Sequence, residues 1–360
     1  MKEILTRTEC SAMRGIAILA IMLHNYCHFI GRIVKENEYQ YMSFNNDRLW
    51  QELTHPDTLL PVHLLSYFGH YGVPVFLFLS GFGLVRKYER GVEPLAGSFR
   101  FLRYHYLKLR RMLIVGFSIF LTVDVLTPGR FPFHWDNVMA QLLMYINVLP
   151  EPDKIIWPGI YWFFGLMMEL YIVYRLLLCR RHSLYVVLLI AVCWLLQVVC
   201  DPDGETLNRL RYNFIGGMLP FGLGIITARV SQKETNCFAA GNKLFPRMKQ
   251  WVWLLLAVGA VVLTVLLSFS FQSWLWIPVV IVVGCVAMVK AMPSWLLSVF
   301  VWFGSISAAM FVAHPIARKL FITVAWKQDI YDGLILYIIV TIALSWAVKQ
   351  IIDRIPSPEL

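Results

Sequence analysis

Long apolar stretches recur from one end of the chain to the other, and they leave it few ways to fold. Runs of mostly apolar residues occupy about 12–30, 66–85, 112–126, 160–178, 184–200, 214–230, 251–270, 273–290, 296–315 and 333–350. About 20 such residues make one helical crossing of a bilayer. Of the 360 residues, 58% are hydrophobic and only 15% charged, against about 25% charged in an ordinary soluble protein. The pattern predicts an all-α integral membrane protein with about ten transmembrane helices. Residues 1–360 read as one transmembrane domain with no appended soluble domain. The first run lacks a small-residue cleavage site and reads as a retained helix rather than a signal peptide. An eleventh run, about 138–149, lies between Pro132 and Pro150 and is too short to cross; it reads as interfacial or re-entrant.

Basic residues set the expected orientation. With ten crossings, 22 of the 32 Lys and Arg fall on the side that carries both termini. Cytoplasmic loops are enriched in these residues, so both termini are expected in the cytoplasm of a multi-pass protein of the cell (inner or plasma) membrane. Counting 138–149 as a span would move Arg180, Arg181 and the later basic loops to the wrong side. The net charge of +10 is accounted for by this asymmetry and by anionic lipid headgroups. No basic stretch comes with a nucleic-acid-binding fold, so no nucleic-acid partner is expected. The seven cysteines are odd in number, fit no zinc or redox spacing, and read mostly as small buried hydrophobes.

Ionisable groups inside a span are costly and mark function by default. His24 and His28 lie in the first run, His70 in the second, Glu169 midway along 160–178, and His314 near the end of 296–315. Arg14 precedes His24 by ten residues, a rise of about 15 Å and a rotation of about 80°. Arg14 thus sits at the cytoplasmic edge and His24 at mid-membrane or beyond. An imidazole there serves as a general base or merely bonds a neighbouring helix. Glu169 is expensive unless paired or protonated: it orients His24 or another cation, binds substrate, or pairs with an arginine such as Arg175. His24 and His28 are spaced as a zinc-binding pair, but the glutamate of the metalloprotease motif is missing and no third ligand stands out, so no metal is expected. The stretch 86–111 holds Arg86, Lys87, Arg90, Arg100, Arg103, Lys108, Arg110 and Arg111. It serves topology, or it captures a phosphate-rich cytoplasmic donor. Outer aromatics (Tyr39, Tyr41, Trp50, Phe133, Trp135 and Trp157) suit sugar stacking and interfacial anchoring equally.

Four stretches, taken in order, resemble membrane acyltransferase family 3. They are MRGIAILAIMLHN (13–25), VPVFLFLSGFGL (73–84), YWFFGLMMELYIVY (161–174) and FGSISAAMFVAHP (303–315). They are similar to the family's opening helix ending in His, its Phe-rich second helix, its Trp-Phe-rich helix with an embedded polar residue, and its late helix ending in His. In the last of these, Phe311-Val312-Ala313 departs from the family's more usual Tyr-Leu-Ile. The resemblance implies an O-acyltransferase with acyl-CoA, most often acetyl-CoA, as co-substrate and no permanently bound cofactor. The acceptor is then a hydroxyl of a cell-envelope or exported glycan, or of a lipid-linked sugar. By position, His24 matches the family's catalytic histidine and Arg14 its basic motif. Glu169 joins the expected catalytic set, and Arg14, Arg103, Arg110, Arg111 and His314 the substrate-binding set. The alternative reading is a proton-coupled secondary transporter or glycan exporter, which also places His and Glu in a basic-faced bundle. Carriers often carry internal repeats, and none is visible here.

Overall fold

The structure, a computed structural model, describes residues 4–89, 97–238, 248–327 and 329–359, with side chains of 233–238 excepted. The side chains of Lys2, Arg90, Lys233, Lys243 and Arg247, which enter the charge balance, and of Cys237 lie outside the described residues. All ten predicted runs are helical. We number the long helices α1 (Arg7–Cys27), α2 (Leu60–Tyr88), α3 (Ser98–Leu126), α4 (Gly159–Leu178), α5 (Ser183–Val198), α6 (Phe214–Phe238), α7 (Gln250–Leu267), α8 (Ile277–Ala291), α9 (Ser294–Lys327) and α10 (Ile330–Arg354). Seven of them, α1, α2, α4, α6, α7, α9 and α10, are long and apolar enough to cross a membrane. Helices α5 and α8 are apolar but shorter. Helix α3 carries its arginines in its first half and its apolar run in the second. No strand occurs among the described residues.

Local chemistry sets the helix ends. Thr6 and Glu9 form a reciprocal capping box at the start of α1, and Asp329 accepts from Tyr331 N and Asp332 N at the start of α10. Residues 138–149 do not make a span: a helix covers only Trp135–Leu142, Met144 turns at φ 60°, and a 3₁₀ turn follows at Ile146–Val148. Helix α2 begins earlier than its apolar run suggested, at Leu60, because Pro61 sits in the first turn where its missing N–H costs nothing.

Packing is close where glycine removes a side chain. A Cβ on Gly15 would lie 2.0 Å from Phe300 O, and one on Gly304 would lie 2.0 Å from Ser11 O, so α1 and α9 cross backbone to backbone. Contacts collect at two ends of the bundle. At one end Lys290 pairs with Glu9 (3.1 Å), Arg86 donates to Leu5 O (3.0 Å), Arg229 pairs with Glu89 (2.8 Å), and Arg111 donates to Ile355 O (2.9 Å). Both described chain ends are therefore at this end. At the other, Trp274 donates to Asn37 O (3.0 Å), Tyr41 N to Pro202 O (2.8 Å), and Lys319 pairs with Asp124 (2.8 Å). His24 lies toward this second end.

Candidate active site

His24 is buried in the last turn of α1. Its Nδ1 lies 2.7 Å from the Ser66 carbonyl oxygen. A carbonyl only accepts, so Nδ1 carries the proton and Nε2 is left with its lone pair. Two glycines make that contact reachable: a Cβ on Gly69 would fall 2.6 Å from both Ala20 O and His24 Cβ, and one on Gly72 would fall 2.3 Å from Ala17 O. Helix α2 thus presses onto α1 and presents Ser66 to the imidazole.

The segment after α1 folds back over the histidine with two carboxylates. Glu38 Oε2 stands 4.0 Å from His24 Nε2. Burial, with the charge of Glu36 beside it, pushes the Glu38 carboxyl up to about 8, so at neutral pH it is mostly protonated and does not tie Nε2 into an ion pair. Glu36 is the opposite case: burial opposes its charge, but His28, His24 and the His28 hydrogen bond outweigh it and hold the carboxyl below the usual range. It lies 2.7 Å from His28 Nδ1. The His24 ring is 5.3 Å from that of His28 and 5.6 Å from that of His70, centre to centre. His70 is buried and neither of its nitrogens meets a hydrogen-bond partner.

A cavity opens beside this cluster, lined by Glu38, Tyr39, His70, Trp162 and Arg211 among others. Tyr39 stacks on Tyr212 at 3.9 Å and meets Trp162 edge-on at 5.5 Å. Arg211 donates to Glu38 O (2.5 Å) and Gln197 Oε1 (3.1 Å) and lies over the Trp274 ring at 4.2 Å. Burial lowers its pKa to about 10, which still leaves it charged at neutral pH. The cavity therefore combines aromatic walls, one fixed cation, and an uncommitted imidazole nitrogen next door. The family model described as an acyltransferase domain, that of acyltransferase family 3, matches residues 9–349. The chain belongs to acyltransferase family 3. No curated protein and no solved structure gives a significant match.

Within this membrane acyltransferase the expected site residues separate into groups. Glu169 is not brought to His24 by any described contact. Its Oε1 accepts from Asn147 Nδ2 (2.6 Å) and its Oε2 from Phe214 N (2.8 Å), so the carboxylate ties 146–148 to α4 and caps the positive end of α6. Arg14 is exposed on α1, and Arg103 and Arg110 are exposed on α3, the latter over the Tyr106 ring at 5.9 Å. Arg111 is drawn away toward the chain end, donating to Ile355 O and to Ser357 Oγ (2.8 Å). His314 is buried, with Nδ1 at 2.9 Å from Met310 O and Nε2 without a partner. One turn on, Arg318 donates to Asn25 Oδ1 (2.9 Å), the neighbour of His24.

Sequence reasoning missed Glu36, Glu38, Arg211 and Arg318. The one available signal was the acidic pair Glu36 and Glu38 following a histidine-bearing helix within ten residues of His28.

Proposed function

We propose that this acyltransferase moves an acyl group, in the simplest case acetyl, from acyl-CoA to a hydroxyl of a cell-envelope or exported glycan, with His24 Nε2 as general base. The observation that carries this reading is the Ser66 carbonyl at 2.7 Å from Nδ1: it fixes the tautomer and leaves Nε2 able to take a proton. In the reaction, Nε2 removes the acceptor hydroxyl proton as the oxygen attacks the thioester carbonyl. The C–S bond then breaks, and the proton returns to the departing thiolate as free CoA thiol. The aromatic cavity with Tyr39 and Trp162 suits the faces of a sugar ring. Glu169 acts at a distance, by holding α4 against α6.

The donor enters from the opposite, basic end. Guanidinium groups bind phosphate through paired hydrogen bonds, and Arg103 and Arg110 are exposed there. Replacing both with alanine is expected to raise the KM for acyl-CoA by about tenfold or more, since each charge-assisted bond contributes about 1.5–3 kcal/mol, while the acceptor dependence holds. Adding Arg111→Ala should deepen the loss only if its tie to the chain end is released by the donor. Steady-state kinetics with each substrate varied separately checks this, and an unchanged donor KM removes the basic stretch from catalysis.

The same reading places the basic end in the cytoplasm. In intact cells a membrane-impermeant maleimide should label Lys154→Cys, at the His24 end, and spare His182→Cys until the membrane is opened. Equal labelling of both before opening contradicts the orientation.

A further inference from the structure

The sequence offers a histidine pair one helical turn apart and no third ligand; the fold supplies one. We propose that His24, His28 and Glu36 form a binding site for a divalent transition metal, best filled by Zn²⁺, and that the bound ion holds the transferase inactive. One ligand atom from each of the three lies within 4.8 Å of the others. Tetrahedral zinc with bonds of about 2.0–2.1 Å wants its ligands about 3.4 Å apart, so side-chain movements of about an ångström complete the set. Two imidazoles and a carboxylate are a zinc-type donor set.

Two further features favour a metal over a chance cluster. The Ser66 carbonyl occupies His24 Nδ1, the outer-sphere contact that orients a metal-bound imidazole and points its other nitrogen inward. His70, buried and with both nitrogens unpartnered, sits 5.6 Å from His24 and offers a fourth donor.

Without an ion His28 Nδ1 donates to Glu36 at 2.7 Å, but no described contact holds the other nitrogen of that ring, so its proton can move there and free Nδ1 for a metal. A second cluster, Glu52, Asp57 and His63, meets the same distance bound but its histidine is locked in the wrong tautomer. His63 Nδ1 accepts from Val34 N at 3.1 Å, so its Nε2 carries the hydrogen and has no lone pair for an ion. Both carboxylates stand 3.7 Å from that nitrogen, as acceptors facing a donor.

Inhibition follows because His24 Nε2 cannot bind the ion and accept a proton at once; this half rests on His24 being the base. The test uses full-length protein in detergent, stripped of metal with a chelator and titrated with Zn²⁺ against a fluorescent zinc indicator. One Zn²⁺ per chain is expected, bound at least about tenfold more weakly in His28→Ala and in Glu36→Gln. X-ray absorption of the zinc-loaded wild-type protein should show imidazole and oxygen neighbours and no sulfur, which keeps the test valid if a variant fails to fold. Zinc should also inhibit acyl transfer at the same concentrations, with the inhibition curve displaced to higher zinc in His28→Ala. Binding unaffected by either substitution, sulfur in the coordination sphere, or no stoichiometric binding overturns the site. Binding as expected with transfer undisturbed overturns the inhibition and, with it, the base role of His24. Absence of transfer before zinc is added removes the proposed function and leaves the metal site to stand on the titration.

Discussion

Replacing His24 with alanine is expected to reduce acyl transfer by about 10²–10⁴-fold, the range a positioned general base contributes, while the protein still inserts and purifies as a folded species. The loss should appear in kcat. Binding of acyl-CoA should persist, because the exposed arginines of α3 lie toward the other end of the bundle. Two companions calibrate the result. His28→Ala should cost much less, since that half-exposed ring faces Glu36 rather than the cavity. Glu169→Gln should fall between the two. An amide keeps an acceptor for Asn147 or for Phe214 N but loses the charge that caps α6, so the damage passes through helix packing. Single-turnover transfer, with folding monitored by thermal unfolding in detergent, separates these cases.

The largest expected effect on stability lies at the end of the bundle that carries the chain termini. Glu89, just beyond the last turn of α2, accepts two bonds from Arg229, Nε at 2.8 Å and Nη2 at 2.9 Å, together with Tyr174 OH (3.1 Å) and Arg180 N (3.3 Å). Arg229 is only 8% exposed. Glu89→Ala strands a buried cation and is expected to destabilise the protein by about 3–5 kcal/mol. Replacing both partners with apolar residues should cost clearly less than the two single changes added together, because the stranded charge is gone. Thermal or denaturant unfolding of the purified proteins reads this. A cost below about 1 kcal/mol for Glu89→Ala would place the pair with solvent-screened surface bridges.

How far the sequence led can be judged residue by residue. Apolar length alone marked all ten long helices, because lipid demands internally bonded segments of known length. It also marked 138–149 as too short, and the structure breaks that segment at Met144. His24 stood out for the same reason: an imidazole in an apolar run needs an explanation. Its surroundings did not stand out. Glu38 and Ser66 come from segments without helical periodicity or from a helix start hidden in a mixed stretch, and Arg211 reaches Glu38 across 173 residues. Glu169 shows the limit most clearly. Its cost in lipid was legible, but its partners, an asparagine on a broken segment and the backbone N–H of another helix, leave no trace in composition or spacing.

Acyl transfer through His24 is measured by following label from radiolabelled acetyl-CoA into envelope glycan fragments with purified protein in detergent, where no gradient can drive transport. Label in the glycan, released by mild base as expected of an O-ester, is expected with wild-type protein, and none above background with His24→Ala. Full transfer by His24→Ala, or a wild-type protein inert toward acyl donors that moves glycan across liposomes, would contradict it.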